Sequence, residues 1–313
     1  MEINFNRTTK MLNGYPKITK LGATSPNDET SPFVFKGKVY RLELYDPSCG
    51  TDINVPHYAI IRDRETGKIV SSLGEGCYYY SYYGEGDKVY ILGTKSTSTE
   101  YCGDTIMIFE TEDLVNWKSR ELFRQNEFKF FNTSLTKGDD GYVLLLEANK
   151  PENLVGCAFT FFFAESKDLI HWQMKDPEKT AFSKERYNGG PWMRYHNGYY
   201  YVISVTNLPC FRFTNYIFRT KDFMTWEVGY YNPFLMPGED DRKLAEKNVD
   251  FTPELIKELK TGFISNNSDV DMCTMPDGRT LITYNAGDQL GFGFMCEAIY
   301  EGTVEEFLEA NFR

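Results

Sequence analysis

Four carboxylates stand out by type and spacing. Asp269 and Asp271 lie two residues apart in NNSDVDMCT, so an extended strand points both side chains to one face. Two carboxylates in one small space raise each other's proton affinity, which is what an acid/base pair needs. Either could instead cap a turn or hold a structural cation. Glu75 sits between Gly74 and Gly76 in LGEGCYYY, where a backbone can approach a ligand closely; the plainer alternative is a solvated loop glutamate. Glu147 ends the apolar run VLLLE. That setting buries a carboxyl and gives it either a cationic partner, such as Lys150 or Arg212, or a raised pKa suited to donating a proton.

Other chemistries find little support. The histidines do not assemble a Ser-His-Asp order, no H-E-x-x-H occurs, and no helix follows the glycines of LGEGCYYYSYYGEG to make a phosphate loop. Seven cysteines, odd in number and without C-x-x-C, argue against a disulfide framework or a zinc site. No metal or cofactor is expected. Asp and Glu total 45 against 34 Lys and Arg, a net charge of −11, which argues against nucleic acid and against an anionic membrane surface as partners. No apolar run approaches the ~20 residues of a membrane span. The N-terminal MEINFNRTTKMLNGYPK has no apolar core of a signal peptide, so a reduced, cytoplasmic protein is the simplest expectation. A chain whose leader had been removed would read the same.

The elements that must position the carboxylates are strands. Aromatic residues make up 16% of the chain, a composition that suits β structure. Asp-(Leu/Phe)-x-x-Trp recurs at Asp113, Asp168 and Asp222, each after an apolar strand, at a period of about 55 residues. A strand, a Gly turn and an aromatic strand recur in five segments, from PFVFKGKVYRLELY to DMCTMPDGRTLITYN. Hairpin, loop, hairpin makes a four-stranded unit. Five units fill the 313 residues as a single all-β domain, a five-bladed β-propeller. A short helix interrupts blades four and five between Asn248 and Gly262, with Thr252 as N-cap and Pro253 opening it. Thr303 and Glu306 stand in capping-box spacing for a second one near the C-terminus.

In such a unit the starts of the innermost strands and the loops between second and third strands share one face. Glu75, Glu147, Asp269 and Asp271 fall there. Asn132, Trp192, Arg212, Asn267, Asp288 and Gln289 join them as candidates to hold a ligand, Trp192 by stacking on a ring or else by filling the centre. The Asp-Leu-x-x-Trp hairpins fall on the opposite face, as turn and packing residues.

This blade pattern, with its S-x-D-L-x-x-W hairpins, resembles the propeller glycoside hydrolase superfamily of families 43, 32, 68, 117 and 130. NGGPWMRYHNGYYYVIS is similar to the family 43 pattern of E-G-P, a spacer and N-G-Y-Y-Y. The resemblance implies three carboxylates at inner-strand starts: a base, a pKa modulator and a general acid. Here the acid's position counts to Gly189 and the modulator's to Asn132, while Ser31-Pro32 replaces the expected Asp-Pro, with Asp28 upstream. The expectation is a glycoside hydrolase acting on a short oligosaccharide or glycoside, with Glu75 or Glu147 as acid and Asp269 or Asp271 as base. The departures leave open a non-catalytic sugar-binding propeller, and Arg212 with Lys150 leave open a glycoside phosphorylase.

Overall fold

The computed structural model describes residues 15–313 and is built almost wholly of antiparallel strands. The first strand, β1 (Ile18–Ser25), is set aside for the end of the chain. Three four-stranded sheets follow in sequence order: β2 (Asp28–Phe35), β3 (Lys38–Tyr45), β4 (Tyr58–Asp63) and β5 (Ile69–Leu73); then β6 (Cys77–Glu85), β7 (Lys88–Lys95), β8 (Thr105–Thr111) and β9 (Lys118–Arg124); then β10 (Lys129–Gly138), β11 (Gly141–Lys150), β12 (Thr160–Ser166) and β13 (Trp172–Met174). Next come β14 (Gly189–His196), β15 (Tyr199–Leu208), β16 (Arg212–Thr220) and β17 (Trp226–Val228). The last set is β18 (Asn266–Thr274), β19 (Thr280–Gly287) and β20 (Gly293–Tyr300), and β1 pairs antiparallel with β20 as its outer strand. A single parallel pairing, Phe213 with Asn266, joins these last two sets. The innermost strands β2, β6, β10, β14 and β18 contact one another in cyclic order, so the sheets stand like blades around an axis.

Short helices decorate this frame: α1 (Glu152–Val155), α2 (Pro177–Thr180), α3 (Pro253–Thr261) and α4 (Val304–Ala310). The Thr252 hydroxyl accepts from Leu255 N to cap α3, and Thr303 with Glu306 closes a capping box on α4. The repeat in the sequence does not reveal β1 as the outer strand of the last sheet, because ITKLGATS carries neither hairpin nor motif.

The Asp-Leu-x-x-Trp segments are turns. In each, one carboxylate oxygen accepts from two backbone N–H groups: Asp113 from Val115 and Asn116, Asp168 from Ile170 and His171, Asp222 from Met224 and Thr225. Those bonds favour the charged form, and all three carboxyls are held below the usual range.

Apolar clusters fill the spaces between neighbouring sheets, with Phe33, Leu42 and Ile91 in one and Leu92, Phe130 and Leu144 in the next. The seam where the ring closes differs. Its apolar cluster is small, formed by Cys273, Met275, Leu281 and Ile299. A buried ionic network crosses it instead: Arg41 pairs with Glu43 at 3.0 Å and Glu297 at 3.3 Å, Arg62 with Glu43 at 3.0 Å, and Arg64 with Glu297 at 2.6 Å.

Candidate active site

Each innermost strand carries the same irregularity. Asp28 faces Leu44, yet Ser31 faces Leu42, so three steps on β2 oppose two on β3. The pairs Tyr78/Ser81, Phe130/Thr133, Gly189/Trp192 and Ser268/Asp271 repeat the slip in β6, β10, β14 and β18. One extra residue per strand is a β-bulge, which bends the strand and re-aims a side chain. The first bulged residues are Glu29, Tyr79, Phe131, Gly190 and Asp269. Four of them take left-handed backbone, with φ of +46° at Glu29, +56° at Tyr79, +51° at Gly190 and +49° at Asp269. Each non-glycine case costs roughly 1–3 kcal/mol and is held by the paired strand on either side.

The bulges face a narrow axial cavity of about 20 Å³, lined from every innermost strand, by Glu29, Tyr80, Asn132, Gly190, Asp269 and Asp271 among others. Five carboxyls gather there, and among the described residues none of them forms an ion pair. Glu147, on β11, is buried; its Oε2 accepts from Asn132 Nδ2 and from Gly190 N, both at 3.0 Å. Burial, opposed by the Asn132 bond and reinforced by the charge of Asp269, pushes its pKa up to about 8. Asp271 accepts from the Ser31 hydroxyl and is raised to about 7, chiefly by burial. Asp28 accepts from Asn285 Nδ2 at 2.6 Å and is raised to about 6, again chiefly by burial. Burial, then the charges of Asp269, Asp28 and Glu147, holds Glu29 well above the carboxylate range; its Oε2 is buried without a partner.

Asp269 stands apart. Its charge raises the other four, yet its own upward shift comes from burial alone and is opposed by a bond from Ser268. Burial is the main cause of the raised pKa at the other four, and the charge of Asp269 adds to it at each. Gln289 supports it from behind, donating to Ser268 Oγ at 3.1 Å.

The structure thus brings together Glu147, Asp269, Asp271 and Asn132, with Gln289 one step behind. It places the other sequence candidates elsewhere. Glu75 is exposed in the turn between β5 and β6 and does not line the cavity. Trp192 re-enters register after its bulge and packs in the core with Ile203, Ile217 and Tyr284, 8% exposed, so its ring face is closed to a sugar. Asn267 is fully buried, accepting from Lys20 at 2.8 Å and donating to Asp241 at 3.2 Å. Asp288 closes its own loop by accepting from Leu290 N and Phe292 N. Arg212 opens β16 beside a separate cavity.

Glu29 escaped the sequence reading because counting back from the hairpin glycines ignores the bulge. The signal was in the repeat: two positions before Ser31, Ser81, Thr133, Trp192 and Asp271 lie the five bulged residues, of which Glu29, Gly190 and Asp269 line the axial cavity. Gly189, where the resemblance expects an acid, is followed by a second position without a side chain, Gly190, on left-handed backbone. A Cβ on Gly190 would meet Asp269 Oδ1 at 2.5 Å, so a side chain there would have to displace that carboxylate. Glu147 reaches the same glycine from the neighbouring sheet.

Aromatic rings run in contact past these carboxyls: Tyr79 to Phe131 at 5.3 Å, Phe131 to Phe159 at 4.8 Å and Phe159 to Tyr187 at 5.4 Å between centroids. A roomier cleft of about 900 Å³ lies between the second and third sheets, and both of its lysines are paired, Lys129 with Glu100 and Lys150 with Glu152.

No protein-family model and no curated protein matches the chain. Solved structures do. A protein described as a glycoside hydrolase aligns with a TM-score of 0.59 at 12% identity, over 95% of this chain and 96% of that one. The catalytic domain of the GH62 α-L-arabinofuranosidase of Coprinopsis cinerea gives 0.60 at 9% identity, over 93% and 99%. The GH43 protein BlXynB of Bacillus licheniformis gives 0.57 at 12% identity over 90% of this chain, which spans only 54% of that protein. At such identities the likeness is one of fold, and the fold is that of the β-propeller glycoside hydrolases.

Proposed function

We propose that the chain is a single five-bladed β-propeller domain that cleaves a glycosidic bond in a short oligosaccharide or glycoside by acid/base catalysis in its axial cavity. The observation that carries this reading is the pair of carboxyls around Gly190. Glu147, raised to about 8, is bonded to Gly190 N and keeps its proton at neutral pH. Asp269, raised by burial with the Ser268 bond opposing, lies against the Cα side of the same glycine. A candidate acid and a candidate base thus flank one residue.

In the reaction Glu147 gives its proton to the departing glycosidic oxygen, and Asp269 takes one from the water that attacks the anomeric carbon. Asn132 and the Gly190 N–H hold the Glu147 oxygen in place. Asp271 and Glu29, both protonated in part or whole, limit the negative charge beside Asp269. The alkaline limb of the rate profile then reports Glu147 near pH 8. The seven cysteines are all free thiols, which supports a reducing compartment such as the cytoplasm.

Turnover of a panel of aryl glycosides, with and without inorganic phosphate, tests the reading. Phosphate-independent hydrolysis that disappears in Glu147→Gln is expected. Turnover that requires phosphate would move the chain to phosphorolysis. A second reading, a non-catalytic sugar-binding propeller, is kept open by the glycine at the acid's expected position, Gly189. Under either reading the cavity, at about 20 Å³ room for roughly one water, must open to take a sugar. Sugar binding without turnover would select the second reading.

A further inference from the structure

A second cavity, of about 240 Å³, opens at the start of β16 and is lined by Arg212, Phe213, Met236, Glu239, Arg242 and Ser265, among others. Arg212 is exposed, and its guanidinium makes no ion pair or hydrogen bond among the described residues. Arg242 is fixed in place: its Nη1 donates to Gly262 O at 2.6 Å, and Glu239 sits 3.6 Å from its Nε with a side chain almost wholly in solvent. Ser265 is 3% exposed, and its hydroxyl oxygen is buried without a partner. A buried hydroxyl without a bond is costly unless something completes it.

The free guanidinium fork of Arg212, the fixed positive charge of Arg242 and a hydroxyl donor match an oxyanion, and a planar fork binds carboxylate or phosphate in bidentate fashion. In a chain of net charge −11, an unpaired arginine at a cavity is an exception to its surroundings. The exposed Met236 and the Phe213 ring supply apolar walls for the carbon face of a sugar. One ring separates this wall from the axial carboxyls: Phe213 meets Tyr187 edge-to-face at 5.4 Å, and Tyr187 feels the charges of Glu147 and Asp269.

We propose that this cavity is a second subsite for the glycoside and that it takes an oxyanion substituent on the sugar, either the carboxylate of a uronic acid or a phosphate ester. The proposal rests on the glycosidase reading, and binding is therefore measured apart from turnover. Calorimetry with digalacturonic acid, glucose 6-phosphate and their uncharged counterparts is the test, with neutral aryl glycoside turnover followed in parallel. One of the two anions should bind roughly tenfold more tightly than its neutral counterpart, and which one does so identifies the source of the oxyanion. Arg212→Gln should abolish that preference, Ser265→Ala should weaken it severalfold, and about 0.5 M salt should reduce it. Equal affinity for charged and neutral ligands, or wild-type anion binding by Arg212→Gln, overturns the subsite. Neutral turnover without an anion preference overturns the subsite alone. Arg212-dependent anion binding without any turnover supports the subsite and overturns the glycosidase reading.

Discussion

The hairpin aspartates and the axial carboxyls are the same functional group treated in opposite ways. At the hairpin rim, Asp113, Asp168 and Asp222 each accept two backbone N–H bonds in water, and their charged forms are favoured. Around the axis, Glu29, Glu147, Asp271 and Asp28 are out of water, without cations and near a shared charge, and their neutral forms are favoured. The rim uses carboxylates to fix backbone. The axis keeps carboxyls in a state that can give up a proton. A repeated motif is thus no guide to chemistry here; what counts is where each repeat leaves its acid relative to solvent and donors.

The largest test of that contrast is Glu147→Gln, which removes the acid while keeping the bonds from Asn132 and Gly190. Loss of about 10²–10⁴-fold in kcat on aryl glycosides is expected, whereas Asp168→Asn at the rim should leave kcat unchanged. A rim variant that abolished activity without unfolding would break the contrast. Gly190→Ala comes next. Its Cβ would stand 2.5 Å from Asp269 Oδ1, on backbone at φ +51°, so we expect a loss of about 1–3 kcal/mol in urea unfolding and a displaced Asp269.

The dependence of stability on pH sharpens the comparison further. A carboxyl whose folded pKa is raised binds more protons folded than unfolded, so stability falls as pH rises from the unfolded value near 4 to the folded one. For Asp28, Asp271 and Glu147 that window runs up to about 6, 7 and 8. The lowered rim aspartates act the other way, adding stability that is lost as pH drops below about 4. Melting temperature should therefore decline from about pH 5 to pH 8, and Asp271→Asn should flatten that decline without touching the acid limb. The smallest effect is on Glu147 itself: with Asp269→Asn its carboxyl should titrate below about 8, read by carboxyl-carbon NMR. An unchanged titration would separate the two groups that the mechanism couples.

Much of the architecture was legible in the sequence because it repeats. Asp-(Leu/Phe)-x-x-Trp marks outer hairpins, and Gly turns mark inner ones, so the four-strand unit follows from spacing. Thr252-Pro253 and Thr303 with Glu306 announce their helices by local hydrogen bonding, which needs no tertiary context. The site was legible only in part. Asp269 and Asp271 were singled out by their spacing on one strand and Glu147 by the apolar run before it, and the fold places all three near Gly190 or the axial cavity. Glu29 was missed and Glu75 chosen because a bulge shifts orientation by one residue, and a one-residue slip moves a side chain to the other face. Trp192 and Asn267 were misplaced for the same reason: a count of positions cannot tell which side of a bulge turns inward. The bareness of Gly190 could not be understood at all until Asp269 was seen to occupy its space.

The pairing of β1 with β20 carries a consequence for how the molecule is made. Ile18 lies opposite Tyr300, so β1 must wait for its partner while roughly 280 residues between them are made. At about 5–20 residues per second, that wait lasts tens of seconds, during which four sheets can assemble while the ring stays open. The unclosed edge of β20 and the loose β1 are then available to another unfinished copy, and exchange of β1 between two copies is the error to look for. A seam of arginines and glutamates, rather than greasy surface, tolerates that delay: left open, it is wetted instead of sticky. Closure is slow by topology and protected by charge.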